Sequence, residues 1–211
     1  MATEDLTTFV EDDVNNRITV TAPKCDVVGM RRDDHCHVHK SYGADHFGDF
    51  EHLHEVYTGT VDASFGKGIV WGVSDGAFTE EEADVGNDGI HVSVYDTSES
   101  ISVTDWENNN TDIYDTTAET LYYLTTERAS TTLTVKIYSD AARTTLVDTL
   151  SIVCNVEAYE YLIACASRNK APTSSPTWTG YCQDFDIQEA APPAGGACVQ
   201  TVTSHLAAMR R

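Results

Sequence analysis

Short runs in which apolar and polar positions alternate recur along this chain, separated by Gly, Asn, Asp and Ser. Runs of this length with turn residues between them predict β-strands. The clearest are Ile18–Thr21, His35–Lys40, Phe50–Tyr57, Gly68–Val73, Gly89–Tyr95, Leu121–Glu127, Thr132–Tyr138, Leu146–Val153, Tyr159–Ala166 and Thr177–Ile187. In the run from Thr132 to Tyr138 the alternation puts Leu133, Val135 and Ile137 on one face. Glu127-Arg128-Ala129-Ser130 turns between that strand and the one before it, which predicts a hairpin. No helical period is visible before the C-terminus. Only Ala141-Ala142-Arg143 and the last residues have the composition of short helical turns. The pattern predicts an all-β chain.

From Glu189 the texture changes. Residues 189–197 are rich in Ala, Pro and Gly and read as a linker that cannot pair in a sheet. The sequence therefore divides into a β-domain over 1–188, a linker over 189–197 and a tail over 198–211. The tail brings Leu206, Met209, Arg210 and Arg211 to an otherwise acidic chain, a combination suited to docking on an acidic, partly apolar neighbour. It is expected to act as an assembly element.

With 211 residues, 41% of them hydrophobic, the chain suits one large sandwich with a core of its own. No stretch approaches the roughly 20 apolar residues of a membrane-spanning helix, so membrane insertion is not expected. Thirteen Lys and Arg against 34 Asp and Glu leave a net charge of −21. Such a surface repels phosphate backbones and excludes nucleic acid as an expected partner. The N-terminus has neither a basic start nor an apolar core, so no secretory signal is expected. A virion protein released by host lysis would need none. Six cysteines show no C-x-x-C spacing. Buried thiols are expected, with one exception. A hairpin centred between Met30 and Arg31 would place Cys25 opposite Cys36, which makes them a candidate disulfide.

Three segments carry a family resemblance. The first runs Tyr42-Gly43-Ala44-Asp45-His46-Phe47-Gly48-Asp49-Phe50-Glu51-His52. The second is Leu133-Thr134-Val135-Lys136-Ile137-Tyr138-Ser139-Asp140 with Leu146-Val147-Asp148-Thr149-Leu150 after it. The third is Trp178-Thr179-Gly180-Tyr181-Cys182-Gln183-Asp184-Phe185-Asp186-Ile187. Together they resemble the concanavalin A-like lectin/glucanase superfamily, in particular the laminin-G-like jelly rolls of phage and environmental sequences. The resemblance covers about residues 5–188 and implies a two-sheet antiparallel jelly-roll sandwich. It carries architecture rather than activity, since such folds serve lectins, glycosidases and structural modules alike.

Several clusters could carry chemistry. Within Asp33-Asp34-His35-Cys36-His37-Val38-His39-Lys40, a strand would put His35, His37 and His39 on one face and Cys36 and Val38 on the other. With His52 and His54 from a second strand, these imidazoles are candidate ligands for a transition metal. The plainer reading makes them polar positions of a sheet. Glu51 and Glu55 match the outer carboxylates of the E-x-D-x-E strand found in laminarinase-like members, but Leu53 stands where the central Asp would be. A retaining glycosidase needs its two carboxyls about 5–5.5 Å apart. Four residues along one strand span about 13 Å. The alternative puts Phe50, His52, His54 and Val56 inward and leaves Glu51 and Glu55 solvated. In the acidic stretch 79–89, Asp84, Asn87 and Asp88 are candidate calcium ligands. Trp71, Trp106, Tyr114 and Trp178 could stack on sugar rings or fill the core. No nucleophile elbow, Walker loop, dinucleotide fingerprint or H-E-x-x-H motif is present.

The reading that follows is a non-enzymatic, lectin-like component of a virion or extracellular assembly, with self or other subunits and glycans as partners. The alternatives are a polysaccharide-acting glycoside hydrolase using Glu51 and Glu55, and a calcium-dependent carbohydrate-binding module.

Overall fold

The computed structural model describes residues 3–62, 67–76, 89–95, 100–167 and 176–189. Among these residues, fourteen strands follow a 3-10 turn at Leu6–Thr8. They are β1 (Val10–Asp12), β2 (Ile18–Thr21), β3 (Lys24–Arg31), β4 (His37–Ser41), β5 (Phe50–Val61), β6 (Lys67–Ser74) and β7 (Gly89–Tyr95), then β8 (Ser100–Asp105), β9 (Asn110–Asp115), β10 (Leu121–Ala129), β11 (Thr132–Tyr138), β12 (Leu146–Val153), β13 (Tyr161–Ser167) and β14 (Thr177–Glu189). Two seven-stranded sheets result. The front sheet has the order β1-β4-β13-β6-β7-β8-β9, the back sheet β12-β11-β10-β5-β14-β3-β2, and every pairing is antiparallel. The architecture is an all-β jelly-roll sandwich.

The alternation that predicts strands also builds the core. Leu133, Val135 and Ile137 are fully buried on one face of β11, as expected. They join Phe50, Val56 and Leu124 of the back sheet against Val70, Trp71, Val73, Val92, Val103 and Leu162 of the front. The β10–β11 hairpin forms, but its strands run on to Ala129 and Thr132, so the turn is the tight pair Ser130-Thr131. Ser130 takes the left-handed conformation there, which a two-residue hairpin loop demands. Ala141–Arg143 is a turn rather than a helix.

Two expectations fail on the topology. β3 and β4 belong to different sheets, so no hairpin joins them. Cys25 pairs with Cys182 of β14 and Val20 of β2 instead of Cys36. The second correction concerns His35. Its φ is +52°, and β4 starts only at His37, because the chain must swing from the back sheet to the front at this point. Asp34 organises the swing by accepting from the Arg31 backbone N–H at 2.6 Å and from the Arg17 guanidinium at 2.9 Å.

The front sheet is buried on both faces through most of β13, β6, β7 and β8. Its inner face joins the main core. Its outer face holds a second cluster of Ile69, Ile163 and Ala166 beside Trp106, with buried His91, Ser93, Ser102 and Thr104. There Ser93 and Ser102 share a hydrogen bond of 2.9 Å, and Lys67 donates to the Thr104 hydroxyl at 2.7 Å. Small hydroxyl side chains on adjacent strands pair with one another, which lets polar positions be buried without an orphaned group.

Candidate functional site

At one end of the sandwich the β4–β5 connection, the end of β6 and the β12–β13 connection border an open cavity of about 350 Å³. It is lined by Ala44, Asp45, Asp75, Glu157, Ala158 and Glu160. The sequence places this site through turn chemistry. Gly43 has φ +100° and Asp45 φ +57°, conformations that Gly adopts freely and Asp tolerates. The chain then returns toward β5, and Phe47 and Tyr159 exchange backbone hydrogen bonds of 2.8 and 3.0 Å. Two further bonds pin the walls. The Tyr42 N–H donates to the Glu160 carbonyl at 3.0 Å, and the Ser41 hydroxyl donates to the Glu160 carboxylate at 2.7 Å. The cavity is therefore framed by backbone ladders and not by side chains alone.

Beside it, the rings of Tyr42 and His46 stack at 5.1 Å over the buried edge of Phe47. The Tyr42 hydroxyl donates to Glu4, and burial, with that hydrogen bond and the Glu4 charge, holds the phenol protonated well above its usual range. Lys40 reaches the same carboxylate at 3.1 Å. Four acidic residues among the lining make it an acceptor-rich surface. It suits hydroxyl-bearing ligands and disfavours anions.

The ladder register places Trp106 at this same end. Tyr161 faces Ser74, Ser74 faces Gly89, and the Trp106 N–H donates to the Gly89 carbonyl at 3.1 Å. Trp106 is half-buried with its ring 4.2 Å from that of His91. Of the other aromatic candidates, Trp71 and Trp178 are fully buried core residues, the second of the two roles open to them. Tyr114 packs edge-on against Tyr122.

The histidines do not come together. Cys36 and Val38 enter the core, so His37 and His39 of β4 point to the opposite side of the front sheet, with ring centroids 5.0 Å apart. His52 and His54 point inward from the back sheet. The front sheet thus separates the two pairs, and His35 lies outside the strand. Among the described residues, no group of three or more His, Cys, Asp or Glu is placed to hold a metal ion. His52 stacks on Phe50 at 4.3 Å, while His54 packs flat between Trp71 at 5.9 Å and Phe185 at 5.7 Å. Desolvation lowers both imidazoles to about 3, and that of His39 to about 4. All three are neutral core or near-core groups at neutral pH.

Glu51 and Glu55 lie on the outward face of β5, Glu51 exposed and Glu55 half-buried. Gln183 donates to Glu55 at 2.8 Å, and burial raises that carboxyl's pKa. The partner across the ladder from Glu51 is Glu127 of β10, itself 3.5 Å from Lys136. Asp84, Asn87 and Asp88 lie outside the described residues, as do residues 190–197 of the linker and the tail, while Glu189 still pairs with Phe50 at the end of β14. Cys25, Cys36, Cys154, Cys165 and Cys182 are buried free thiols.

Sequence reasoning missed Asp75, Glu157 and Glu160, and saw Asp45 only as part of a family motif. The signal is weak because the four come from three connections far apart in sequence, and acidic loop residues are ordinary in a chain this acidic.

No protein-family model matches this sequence, and no curated protein matches it in sequence. Solved structures do match in fold. The VIP36 exoplasmic/lumenal domain, in its form with Ca2+ and Man3GlcNAc bound, superposes with a TM-score of 0.59 at 10% identity, covering 92% of this chain and 89% of that one. Cip1, a cellulose induced protein, gives 0.58 at 11% identity over 92% and 100%. Lectin II from Ulex europaeus gives 0.56 at 8% identity over 85% and 91%. The chain thus shares the jelly-roll sandwich fold of these structures, the architecture that the three sequence segments imply.

Proposed function

We propose that this chain is a non-enzymatic, glycan-binding jelly roll that serves a virion or other extracellular assembly, with the acidic cavity as its sugar site. The observation that carries the reading is the cavity itself. It is of monosaccharide-to-disaccharide scale, within the usual range of ligand pockets. Carboxylates accept from sugar hydroxyls, and the stacked Tyr42 and His46 offer ring faces beside them. The lectin-like fold, shared with structures solved in complex with mannose-containing glycans, favours the same class of ligand. The tail, residues 198–211, is proposed to mediate contacts with other subunits.

Calcium is a partner of the VIP36 domain in those structures. The described residues of this chain do not by themselves converge on a cation. Asp84, Asn87 and Asp88 remain the calcium candidates proposed from sequence. The hydrolase alternative rests on Glu51 and Glu55, which stand too far apart along one strand to act as the close pair. It would need a nearer carboxylate such as Glu127, the ladder partner of Glu51.

A glycan array probed with the purified chain, with and without calcium, tests the proposal. Binding that weakens at least tenfold in Asp45→Asn and Glu160→Gln supports it. Absence of retained glycans, or binding indifferent to both substitutions, overturns the site. A reducing-sugar assay on β-glucans, agars and alginates is expected to show no turnover. Turnover abolished by Glu51→Gln would make the chain an enzyme.

A further inference from the structure

We propose that Cys25 and Cys182 form a covalent cross-link site, closed as a disulfide between β3 and β14 when the folding chain meets a disulfide donor. The two residues are direct partners in the β3–β14 ladder, and both are fully buried. Opposed residues of an antiparallel ladder have Cα atoms about 4.5 or 5.5 Å apart. Both values fall in the roughly 4.4–6.8 Å window that a disulfide spans without moving the backbone.

The neighbouring thiols do not meet this condition. Cys165 reaches the Cys182 sulfur from the facing sheet, but sheets pack about 10 Å apart. Cα atoms more than about 7 Å apart cannot be bridged in place. Cys36 is held on the front-sheet side by Ser167, whose hydroxyl oxygen accepts from the Cys36 N–H at 3.1 Å and whose N–H donates to the Cys36 carbonyl at 2.9 Å. Cys154 sits at the far edge of the back sheet, after β12, with Arg128 among its neighbours. The ladder thus selects one pair among the five described cysteines.

The reaction is thiol–disulfide exchange. One of the two thiols loses its proton and attacks a sulfur of the donor, a small-molecule or enzyme disulfide, releasing one donor thiol and leaving a mixed disulfide. The other thiol, deprotonated in turn, attacks the protein sulfur of that mixed disulfide and releases the second donor thiol. The two cysteines give up two electrons and two protons, and the donor takes up both. In the finished fold Cys182 donates its S–H to the Ala164 carbonyl at 3.1 Å, and burial keeps it protonated. A thiol in that state exchanges slowly. The bond therefore forms while the core is open and is shielded afterwards. It would join strands from opposite ends of the sequence, on two of the back sheet's inner positions.

The test is refolding of the denatured, reduced full-length chain in glutathione buffers of oxidising and reducing poise, followed by alkylation and peptide mapping. A linked Cys25–Cys182 peptide is expected only at the oxidising poise, together with a higher urea midpoint that dithiothreitol abolishes. Cys154→Ala should retain that rise and Cys182→Ala should lose it. If Cys182→Ala does not fold, the wild-type peptide map still decides. A Cys25–Cys36 or Cys165–Cys182 bridge, or full alkylation of Cys25 and Cys182 after oxidative refolding, would overturn the proposal.

Discussion

Trp71 of the front sheet donates its indole N–H to Nδ1 of His52 on the back sheet, a 3.2 Å bond that crosses the core. With Nδ1 as acceptor, the His52 proton sits on Nε2, which has no hydrogen-bond partner among the described residues. Protonation of His52 would turn Nδ1 into a donor facing a donor. Unfolded, His52 and His54 take a proton near 6.5, and folded only near 3. The unfolded state thus binds more protons throughout the interval between these values, so this part of the stability is complete above about pH 6.5 and falls as pH drops toward 3. Each group weakens the fold by about 1.4 kcal/mol per pH unit inside that window. Urea midpoints measured at pH 7 and pH 5 should show a clear loss at pH 5. In His54→Leu the gap should narrow, while stability at pH 7 holds or rises, since both ring nitrogens of His54 are unpartnered among the described residues.

Gly59 is a point where the fold admits no side chain. Its φ is +57°, and a Cβ there would sit 1.9 Å from the Thr179 carbonyl oxygen. The β5–β14 register shifts beside it, between Thr179 and Tyr181. Gly59→Ala must both strain the backbone and push β14 away, a loss expected to exceed about 3 kcal/mol. Chemical denaturation would check this, and a loss under 1 kcal/mol would show that β14 yields easily.

Asp34 is buried while holding Arg17 and the Arg31 N–H. Asp34→Ala leaves both donors without their carboxylate at the crossover between sheets. A destabilisation of about 3 kcal/mol is expected from breaking such a buried pair on one side. Arg17→Ala removes only a partly exposed partner and should cost less. The comparison of the two denaturation curves distinguishes them.

The back sheet's edge strand β12 has neither Pro nor Lys to discourage pairing, and Val147 and Val153 are exposed on it. Side chains of β9 occupy part of its free backbone instead. Asp112 accepts from the Ser151 N–H at 3.0 Å, and Asn110 donates to the Val153 carbonyl at 2.8 Å. Removing both, in Asn110→Ala with Asp112→Ala, should open the edge to strand addition. Sedimentation velocity is expected to show concentration-dependent association in the double variant that exceeds the wild type.

Periodicity determined much of the strand content, because an element whose one face is dry must alternate. The strand Thr132–Tyr138 and the inward set Phe50, His52, His54 and Val56 were legible for that reason. So was the sandwich architecture, since the loop and closing-strand segments that imply it are local in sequence. Strands β8 and β9 were missed although Ile101 and Val103 alternate with Ser and Thr in β8, because both runs are short and carry several Ser, Thr, Asn and Asp residues. Such residues read as turns until a neighbouring strand supplies their hydrogen bonds. Which sheet receives each strand was decided only by the tertiary structure. That assignment separates His37 and His39 from His52 and His54, and gives Cys25 to Cys182 instead of Cys36. The acidic cavity is likewise a product of three connections meeting at one end of the sandwich. A sequence specifies which residues must be buried, but pairing between strands 150 residues apart depends on contacts that no local pattern encodes.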